Sequence, residues 1–132
     1  MSKKAVQDRY APNSICFGCG PANKEGLQIK SYRAGDGLEM EFECEEKHQA
    51  FPGVINGGII GALLDCHGNW TAAVALLDSG YYDKIAYTVT SSYSVQLLRP
   101  TPIGIPLHVI GKVVELMEDR ANVKMELHVD GE

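Results

Sequence analysis

The sequence predicts a single α+β domain in which one long apolar helix lies among antiparallel strands. Residues 57–77 are mostly apolar on every face, which is typical of a helix covered on several sides. Residues 38–44, 85–98, 107–117 and 122–129 alternate between apolar and polar side chains, which indicates strands with one buried face. The 132 residues suit one domain with its own core, and no internal repeat or second domain is evident.

The first 25 residues form a lead-in that is rich in turn-forming glycine, proline and asparagine. A short helix is expected there from Lys3 to Tyr10. A strand pattern then begins at Gly26, and the stretch 34–37 predicts a hairpin turn into the next strand. The predicted inward faces of these two strands hold Leu27, Ile29, Ser31, Leu38, Met40, Phe42 and Cys44.

The long helix is expected to begin at about Gly57, after a loop at Phe51–Gly53, and to end at Leu77. The stretch Asp78–Gly80 that follows supplies a glycine suited to a C-terminal cap. A helix of about 21 residues spans about 31 Å. Because polar residues interrupt its apolar run, we expect a core helix rather than a membrane span.

Composition and charge argue against two classes of partner. The formal net charge is -5, and no cluster of lysine and arginine stands out. Neither nucleic acid nor an anionic membrane is therefore expected as the main partner. The first eight residues lack the apolar run of a signal peptide, so a cytoplasmic location is expected.

The four cysteines, at positions 16, 19, 44 and 66, are expected to be reduced, because no secretory signal precedes them. The Cys16-x-x-Cys19 spacing suggests zinc, but a structural zinc site needs four ligands. Cys44 and Cys66 fall in a predicted strand and helix, and each is expected to be unpaired. A redox role is not expected either, since Gly20-Pro21 follows where a redox motif would open a helix. No metal and no cofactor is therefore expected.

Asp65 is the isolated acid of the long helix and the first candidate catalytic residue. At about 100° per residue, it shares one face with Asn69 and with four small residues: Gly58, Gly61, Ala62 and Ala72. Gly61 in mid-helix costs about 1 kcal/mol relative to alanine, so a strand, a helix or a ligand should approach there. A desolvated carboxylate beside a cleft suits general-base or nucleophilic chemistry. The alternative is a capped or salt-bridged structural acid.

The segment Asn56-Gly57-Gly58 opens the helix and is the candidate site for developing negative charge. Free N–H groups and the helix dipole favour an anion there, and two glycines let a carbonyl approach the backbone. The alternative is a glycine-rich turn with Asn56 as the helix cap. Gly57 and Asp65 lie eight residues, or about 12 Å, apart along one helix. One carbonyl cannot touch both, so the spacing predicts a dimer whose sites are shared between chains.

The segment His48–Asp65 resembles the central motif of hotdog-fold thioesterases of the PaaI type, in which His-Gly-Gly precedes an acid seven residues after its second glycine. The lead-in Cys16–Gly20, followed by Asn23 and Gly26-Leu27, is similar to that of one branch of the family. The stretch Leu98–Pro100 resembles the end of the family's interface strand.

The resemblance implies a curved antiparallel sheet wrapped around the helix, with protomers pairing sheet to sheet as a homodimer or homotetramer. It implies hydrolysis of an acyl-CoA at the dimer interface. Gly57 then matches the amide that polarises the thioester carbonyl, and Asp65 matches the acid that activates water or attacks the carbonyl. Thr90, ten residues before Pro100, matches a hydroxyl residue that orients the water or the acid. Arg99 matches a phosphate contact.

The sequence differs from the family pattern in three respects. Asn56 replaces the usual histidine, and we include it among the candidate catalytic residues. Ala50 stands where some members place Asn or Gln; the neighbouring Gln49, together with Gly58, is a candidate for substrate binding. The fold's last strand is not found in this sequence, although Asp130-Gly131 after an alternating strand signals a hairpin. Either the sheet has one strand fewer than the pattern predicts, or the chain is truncated.

Two other functions remain open. One is a non-catalytic acyl-CoA binder or regulator on the same fold, which the departures at Asn56 and Ala50 favour. The other is a hydratase or dehydratase of the same fold, which pairs a loop histidine with a helix acid. His48 could be that loop histidine. Ala62, however, lies near the position where the helix acid is expected.

Overall fold

The computed structural model of the protein describes residues 4–132. Its helices and strands are α1 (Val6–Tyr10), β1 (Tyr32–Ala34), β2 (Gly37–Phe42), a 3-10 turn (Glu46–His48), β3 (Gln49–Phe51), β4 (Val54–Ile55), α2 (Gly57–Asp78), β5 (Leu107–Met117) and β6 (Arg120–Val129). Strands β1, β2, β5 and β6 form one antiparallel sheet in that spatial order. Strands β3 and β4 pair as a separate ribbon. The predicted α+β class is confirmed.

The long helix α2 packs against β2, β5 and β6. Its observed bounds, Gly57 and Asp78, lie within one residue of the predicted ones. Gly80 follows its end with a φ of +87°, a conformation that suits the predicted glycine cap. The helix is long and apolar enough to cross a membrane, but 56% of its most apolar stretch is buried inside the domain. This burial agrees with the predicted core helix.

The alternation predicted for the strands is confirmed in β2 and β6. In β2, Leu38 and Met40 are each 1% exposed, whereas Glu41 faces solvent. In β6, the apolar residues at 123, 125, 127 and 129 are half-buried, and the lysine and glutamate between them are exposed. The hairpin turn predicted between β1 and β2 contains Gly35 at a φ of +57°.

Two predicted elements near the N-terminus, one helix and one strand, begin later than expected. Helix α1 starts at Val6, and its predicted first residue, Lys3, lies outside the described residues. The strand predicted from Gly26 pairs only from Tyr32. Before that point, the N–H groups of residues 27 and 29 donate to carbonyls of the lead-in loop at residues 17 and 18. The loop therefore satisfies backbone groups that a strand partner would otherwise satisfy.

The prediction that residues 85–98 form a strand of this chain's sheet is wrong. The segment runs back along α2 without pairing to any strand in residues 4–132. Its alternating apolar residues are open to solvent, with Tyr87 91% and Val89 89% exposed. The physical reason is that a groove separates the segment from β6, the nearest edge of the sheet, so its backbone has no strand to bond.

The turn signalled by Asp130-Gly131 is confirmed. Asp130 and Gly131 have φ angles of +51° and +82°, and the Glu132 N–H donates to the Val129 carbonyl at 3.0 Å. Positive φ at both central residues is typical of the turns that connect two hairpin strands. Within the described part of the chain no strand pairs with the outer edge of β6. That edge forms one wall of the groove.

Helix α2 crosses β5 at Gly111, where the two elements touch closely. A Cβ at Gly111 would lie 2.6 Å from Thr71 Oγ1 and 3.2 Å from the His67 ring. Only a residue without a side chain leaves room for the helix at this point. This contact sets the rotation of α2 over the sheet.

A buried chain of hydrogen bonds holds the same face of α2. His67 Nε2 donates to the Leu38 carbonyl at 3.0 Å, and Nδ1 accepts from the Ser31 hydroxyl at 2.8 Å. Gln7 Nε2 donates to Ser31 Oγ at 3.0 Å, and the Ser31 N–H donates to Gln7 Oε1 at 2.8 Å. The network ties α1, the start of β1, β2 and α2 together, and it uses both ring nitrogens of a neutral histidine.

Burial lowers the pKa of His67 from its ordinary value of 6.5 to about 4. The unfolded chain therefore binds this proton below about pH 6.5, whereas the folded protein binds it only near pH 4. We expect the free energy of unfolding to fall as the pH is lowered through that window, by up to roughly 3 kcal/mol from this group. Urea unfolding of wild type and His67→Gln between pH 7 and 4 measures the difference.

At pH 7, His67→Gln should be less stable than the wild type. Its free energy of unfolding should also lack this part of the pH dependence. The matched control is His128→Gln, which changes a half-exposed histidine of β6 and should keep the wild-type slope. Equal slopes for wild type and His67→Gln would contradict the neutral buried state of His67.

Candidate active site

A groove of about 1420 Å³ lies between α2, β6 and the segment 86–99. From α2, Asp65, Asn69 and Ala72 line its floor together with larger apolar residues such as Ile60 and Leu64. The Tyr93 hydroxyl lies 3.6 Å from the position that a Cβ on Gly61 would take, an ordinary van der Waals distance. The close neighbour expected at Gly61 is therefore the chain's own returning segment.

Asp65 lies on this floor, half-buried, and Thr90 of the returning segment reaches it. Thr90 Oγ1 donates to Asp65 Oδ1 at 2.5 Å. Asn69 Nδ2 donates to Thr90 Oγ1 at 3.2 Å, so the threonine hydroxyl proton is directed to the carboxylate. Thr88 Oγ1 donates to the Asn69 carbonyl at 3.1 Å and also contacts Asn69 Oδ1. The structure thus brings together two predicted site residues, and Asn69 orients the pair.

Asp65 lines the groove, and within residues 4–132 only one of its carboxylate oxygens has a side-chain hydrogen-bond partner. Among the described residues, no lysine, arginine or histidine forms an ion pair with Asp65, and Oδ2 has no protein donor. The alternative of a salt-bridged structural acid therefore finds no support in the structure. An acid with one oxygen held by a hydroxyl and the other free can accept a proton from water or attack a carbonyl.

Asn56 acts as the N-terminal cap of α2. Its side-chain Oδ1 accepts from the N–H groups of Gly58, at 2.7 Å, and Ile59, at 3.3 Å. The cap interpretation of this segment is confirmed. Gly58 serves the cap too, because a Cβ there would lie 2.9 Å from Asn56 Oδ1.

The capping bonds correct the picture of two free amides at the start of α2. The Gly58 N–H is occupied by Asn56, so it is not free for a substrate carbonyl. The exposed Gly57 N–H has no acceptor within residues 4–132. Gly57 is therefore the one amide of this pair that can stabilise a developing oxyanion. Eight residues separate it from Asp65 on the same helix, about 12 Å.

The two remaining candidates have other partners. Gln49 Nε2 donates to the Glu46 carbonyl at 2.9 Å, and Gln49 Oε1 accepts from the Gly53 N–H at 2.7 Å. Its amide therefore braces the loop before α2 rather than facing Asp65. Arg99 lies on the groove wall, with its side chain 67% exposed and 3.8 Å from the Glu132 carboxylate. Its predicted phosphate contact stays a prediction.

His48 and Asp65 line different cavities in one chain. The His48 ring faces a pocket of about 320 Å³ on the lead-in side, to which Asp65 does not contribute. His48 Nδ1 accepts from the Glu45 N–H at 2.9 Å as part of a cap on the 3-10 turn. This structural role leaves the hydratase interpretation without a paired acid in the same chain.

Three thiols meet beside the site, although the sequence indicated only the Cys16-x-x-Cys19 pair. Cys16 and Cys19 of the lead-in reach Cys66 of α2, and their sulfur atoms lie within 4.8 Å of one another. Cys66 was expected to be unpaired in its helix, but it meets this pair because the lead-in loop crosses α2 at that residue. The Cys16-x-x-Cys19 spacing was the available signal.

The thiols of this cluster and the remaining cysteine differ in acidity. A hydrogen bond between Cys66 and Cys19 lowers the pKa of Cys19 to about 6. The same hydrogen bond, together with burial, raises the pKa of Cys66. Cys44 lies apart, and burial raises its pKa to about 11. Cys44 is therefore a protonated core thiol at neutral pH.

Comparison with known proteins places the chain in a family. A thioesterase superfamily protein from Shewanella loihica PV-4 is 30% identical, with a TM-score of 0.71 and coverage of 92% of this chain and 87% of that protein. Thioesterase superfamily member 2 from zebra fish is 19% identical, with a TM-score of 0.64 and coverage of 84% and 81%. A third thioesterase superfamily protein is 19% identical, with a TM-score of 0.71 and coverage of 99% and 65%.

The two matches at 19% identity show likeness of fold alone. The sequence matches no protein-family profile and no curated protein. The Shewanella protein, however, is similar in sequence as well as in structure over most of both chains. The long helix against an antiparallel sheet is the hotdog arrangement that these structures share. The chain therefore belongs to the thioesterase superfamily.

Proposed function

We propose that the protein hydrolyses an acyl-CoA thioester to a carboxylic acid and free CoA, as a PaaI-like member of its superfamily. The observation that supports this most is the contact between Thr90 Oγ1 and Asp65 Oδ1. It leaves Asp65 Oδ2 free, on the floor of a groove that is large enough for a substrate.

In the proposed reaction, Asp65 Oδ2 takes a proton from water while the water oxygen attacks the thioester carbonyl carbon. Thr90 fixes the carboxylate through its other oxygen. The Gly57 N–H, at the positive end of the α2 dipole, stabilises the negative carbonyl oxygen. The carbon–sulfur bond then breaks, and the departing CoA thiolate recovers the proton. No metal or cofactor takes part in these steps.

The site is proposed to form between two copies of the chain, as a homodimer or a dimer of dimers. Gly57 and Asp65 lie too far apart along α2 to hold one carbonyl. Two antiparallel α2 helices would bring Gly57 of each copy to Asp65 of the other. The exposed apolar residues Tyr87, Val89 and Leu98 of the segment 86–99 supply a surface for that pairing.

A non-catalytic acyl-CoA binder is the second candidate. Asn56, which replaces a histidine of the family motif, caps α2, and Gln49 braces its own loop. Neither group is therefore placed to activate water. This candidate keeps the acyl-CoA site, with Arg99 as a phosphate contact, and predicts binding without release of thiol.

We expect Asp65→Asn to lower the turnover of acyl-CoA hydrolysis by roughly 100-fold or more, because an amide cannot accept the proton of water. The substitution keeps the size of the side chain, so the fold should persist. The measurement is the steady-state rate of thiol release, with circular dichroism as the check on folding.

Asp83→Asn is the matched control, since it changes an exposed aspartate after α2 in the same way. Thr90→Val should lower the turnover by about 10- to 100-fold, because it removes one hydrogen bond to a charged group, and Thr90→Ser should restore the rate. Wild-type turnover in Asp65→Asn would show that Asp65 is not the base.

The shared site predicts that two inactive variants complement each other. Asp65→Ala removes the acid, and Gly57→Val covers the amide with a branched side chain. In a mixed dimer one site keeps both native groups, whereas the other has neither, so subunit exchange should restore activity. With random pairing, half of the dimers are mixed and each has one intact site, so about a quarter of wild-type activity is the expected ceiling.

The control is a mixture of Asp65→Ala with Asp65→Asn, which should stay inactive. Mixed dimers can be counted by mass spectrometry of differently tagged chains. If mixed dimers form and the activity does not return, both residues act within one chain.

A further inference from the structure

A cluster of three thiols joins the lead-in loop to α2, and the proposed hydrolysis does not use it. Cys66 projects from α2, and its Sγ lies 3.9 Å from that of Cys16. Cys19 completes the set, with all three sulfur atoms within 4.8 Å of one another. In the described part of the chain no disulfide links them, and no histidine or carboxylate joins the cluster.

The lead-in loop is shaped so that nothing stands between its thiols and Cys66. A Cβ at Gly18 would lie 2.3 Å from Cys66 Sγ, so any side chain there would occupy the place of the thiol. A Cβ at Gly20 would lie 2.3 Å from the Cys16 backbone nitrogen. The Gly20 N–H instead donates to the Cys16 carbonyl at 2.9 Å and closes a tight turn. The two glycines therefore let the loop fold closely around Cys66.

The sulfur positions suit a metal ion that prefers thiolates. Zinc–sulfur bonds are about 2.3 Å long, so two thiolates on a tetrahedral ion lie about 3.8 Å apart. The observed Cys16–Cys66 separation of 3.9 Å is already close to that value. The Cys-x-x-Cys spacing of the loop is also typical of zinc-binding turns. Soft thiolate ligands favour zinc or copper(I) over magnesium or calcium.

We infer that Cys16, Cys19 and Cys66 form a binding site for a zinc-like, thiophilic metal ion. Each cysteine binds as a thiolate, and the displaced thiol protons pass to solvent. Cys16 is exposed, so water takes the fourth position from the solvent side. The bound ion clamps the lead-in to α2 at the residue next to Asp65. Metal binding here does not depend on the proposed hydrolysis.

The test is metal binding by the full chain, reduced and handled without oxygen. We expect one equivalent of Zn²⁺ in competition with a chromophoric chelator. Co²⁺ as the probe should give an intense thiolate-to-cobalt charge-transfer band. Zinc should also raise the midpoint of thermal unfolding, because it binds only the folded site.

Cys16→Ser changes the exposed member of the cluster and should weaken zinc binding by more than roughly 100-fold. Loss of a residue that merely orients a metal ligand already costs about 10- to 100-fold. Cys44→Ala is the matched control, since it removes a cysteine outside the cluster and should bind like wild type. Without zinc, the thermal midpoint of Cys16→Ser should equal that of wild type, which separates lost binding from lost folding.

Absence of the cobalt band in the reduced wild-type chain would overturn the inference, and so would unchanged zinc affinity in Cys16→Ser. Loss of binding in Cys44→Ala would also overturn it, because the ligands would then lie elsewhere. A Cys16–Cys66 disulfide that forms in air while the reduced chain takes up no metal would assign the cluster to redox chemistry instead.

Discussion

The close contact between α2 and β5 is the constraint on which the rest of the structure depends. At Gly111 the sheet has no side chain, and the ring of His67 and the hydroxyl of Thr71 occupy that space. Both nitrogens of His67 are bonded, to Ser31 and to the Leu38 carbonyl, so the helix cannot rotate without breaking buried hydrogen bonds. The rotation of α2 then decides what each of its other faces meets.

Three consecutive residues of α2 illustrate this consequence. His67 faces the sheet, Cys66 faces the lead-in loop, and Asp65 faces the returning segment 86–99. Successive helix residues point about 100° apart, so one turn supplies the structural anchor, the thiol cluster and the candidate acid. Burial of a neutral histidine therefore fixes the direction of the carboxylate two residues earlier.

Much of the fold could be predicted from the sequence, because the spacing of apolar residues and the residues that cap helices or form turns are local signals. The alternation in 38–44, the bounds of α2 and the Asp130-Gly131 turn depend only on neighbouring residues. The segment 85–98 has the same alternation, yet pairing also needs a strand beside it, and local pattern does not supply one.

The candidate site shows the same division between local and long-range information. Asp65 and Gly57 were found from their places on one helix. The partner of Asp65 in space, Thr90, came from the family resemblance, and the structure places it at hydrogen-bonding distance. The roles of Gln49 and Gly58 were not visible, because side-chain bonds to the backbone decide them. Cys66 joined Cys16 only through the path of the lead-in across α2, which no spacing in the sequence encodes.

The central claim is that this member of the thioesterase superfamily cleaves the bond between an acyl group and CoA. The most direct measurement is thiol release by the wild-type chain from a panel of acyl-CoA thioesters that differ in chain length and include aromatic acyl groups. Catalytic release is expected from at least one class, with one carboxylic acid formed for each thiol. Saturable binding of acyl-CoA with no thiol release across the whole panel would contradict it and identify a binding protein.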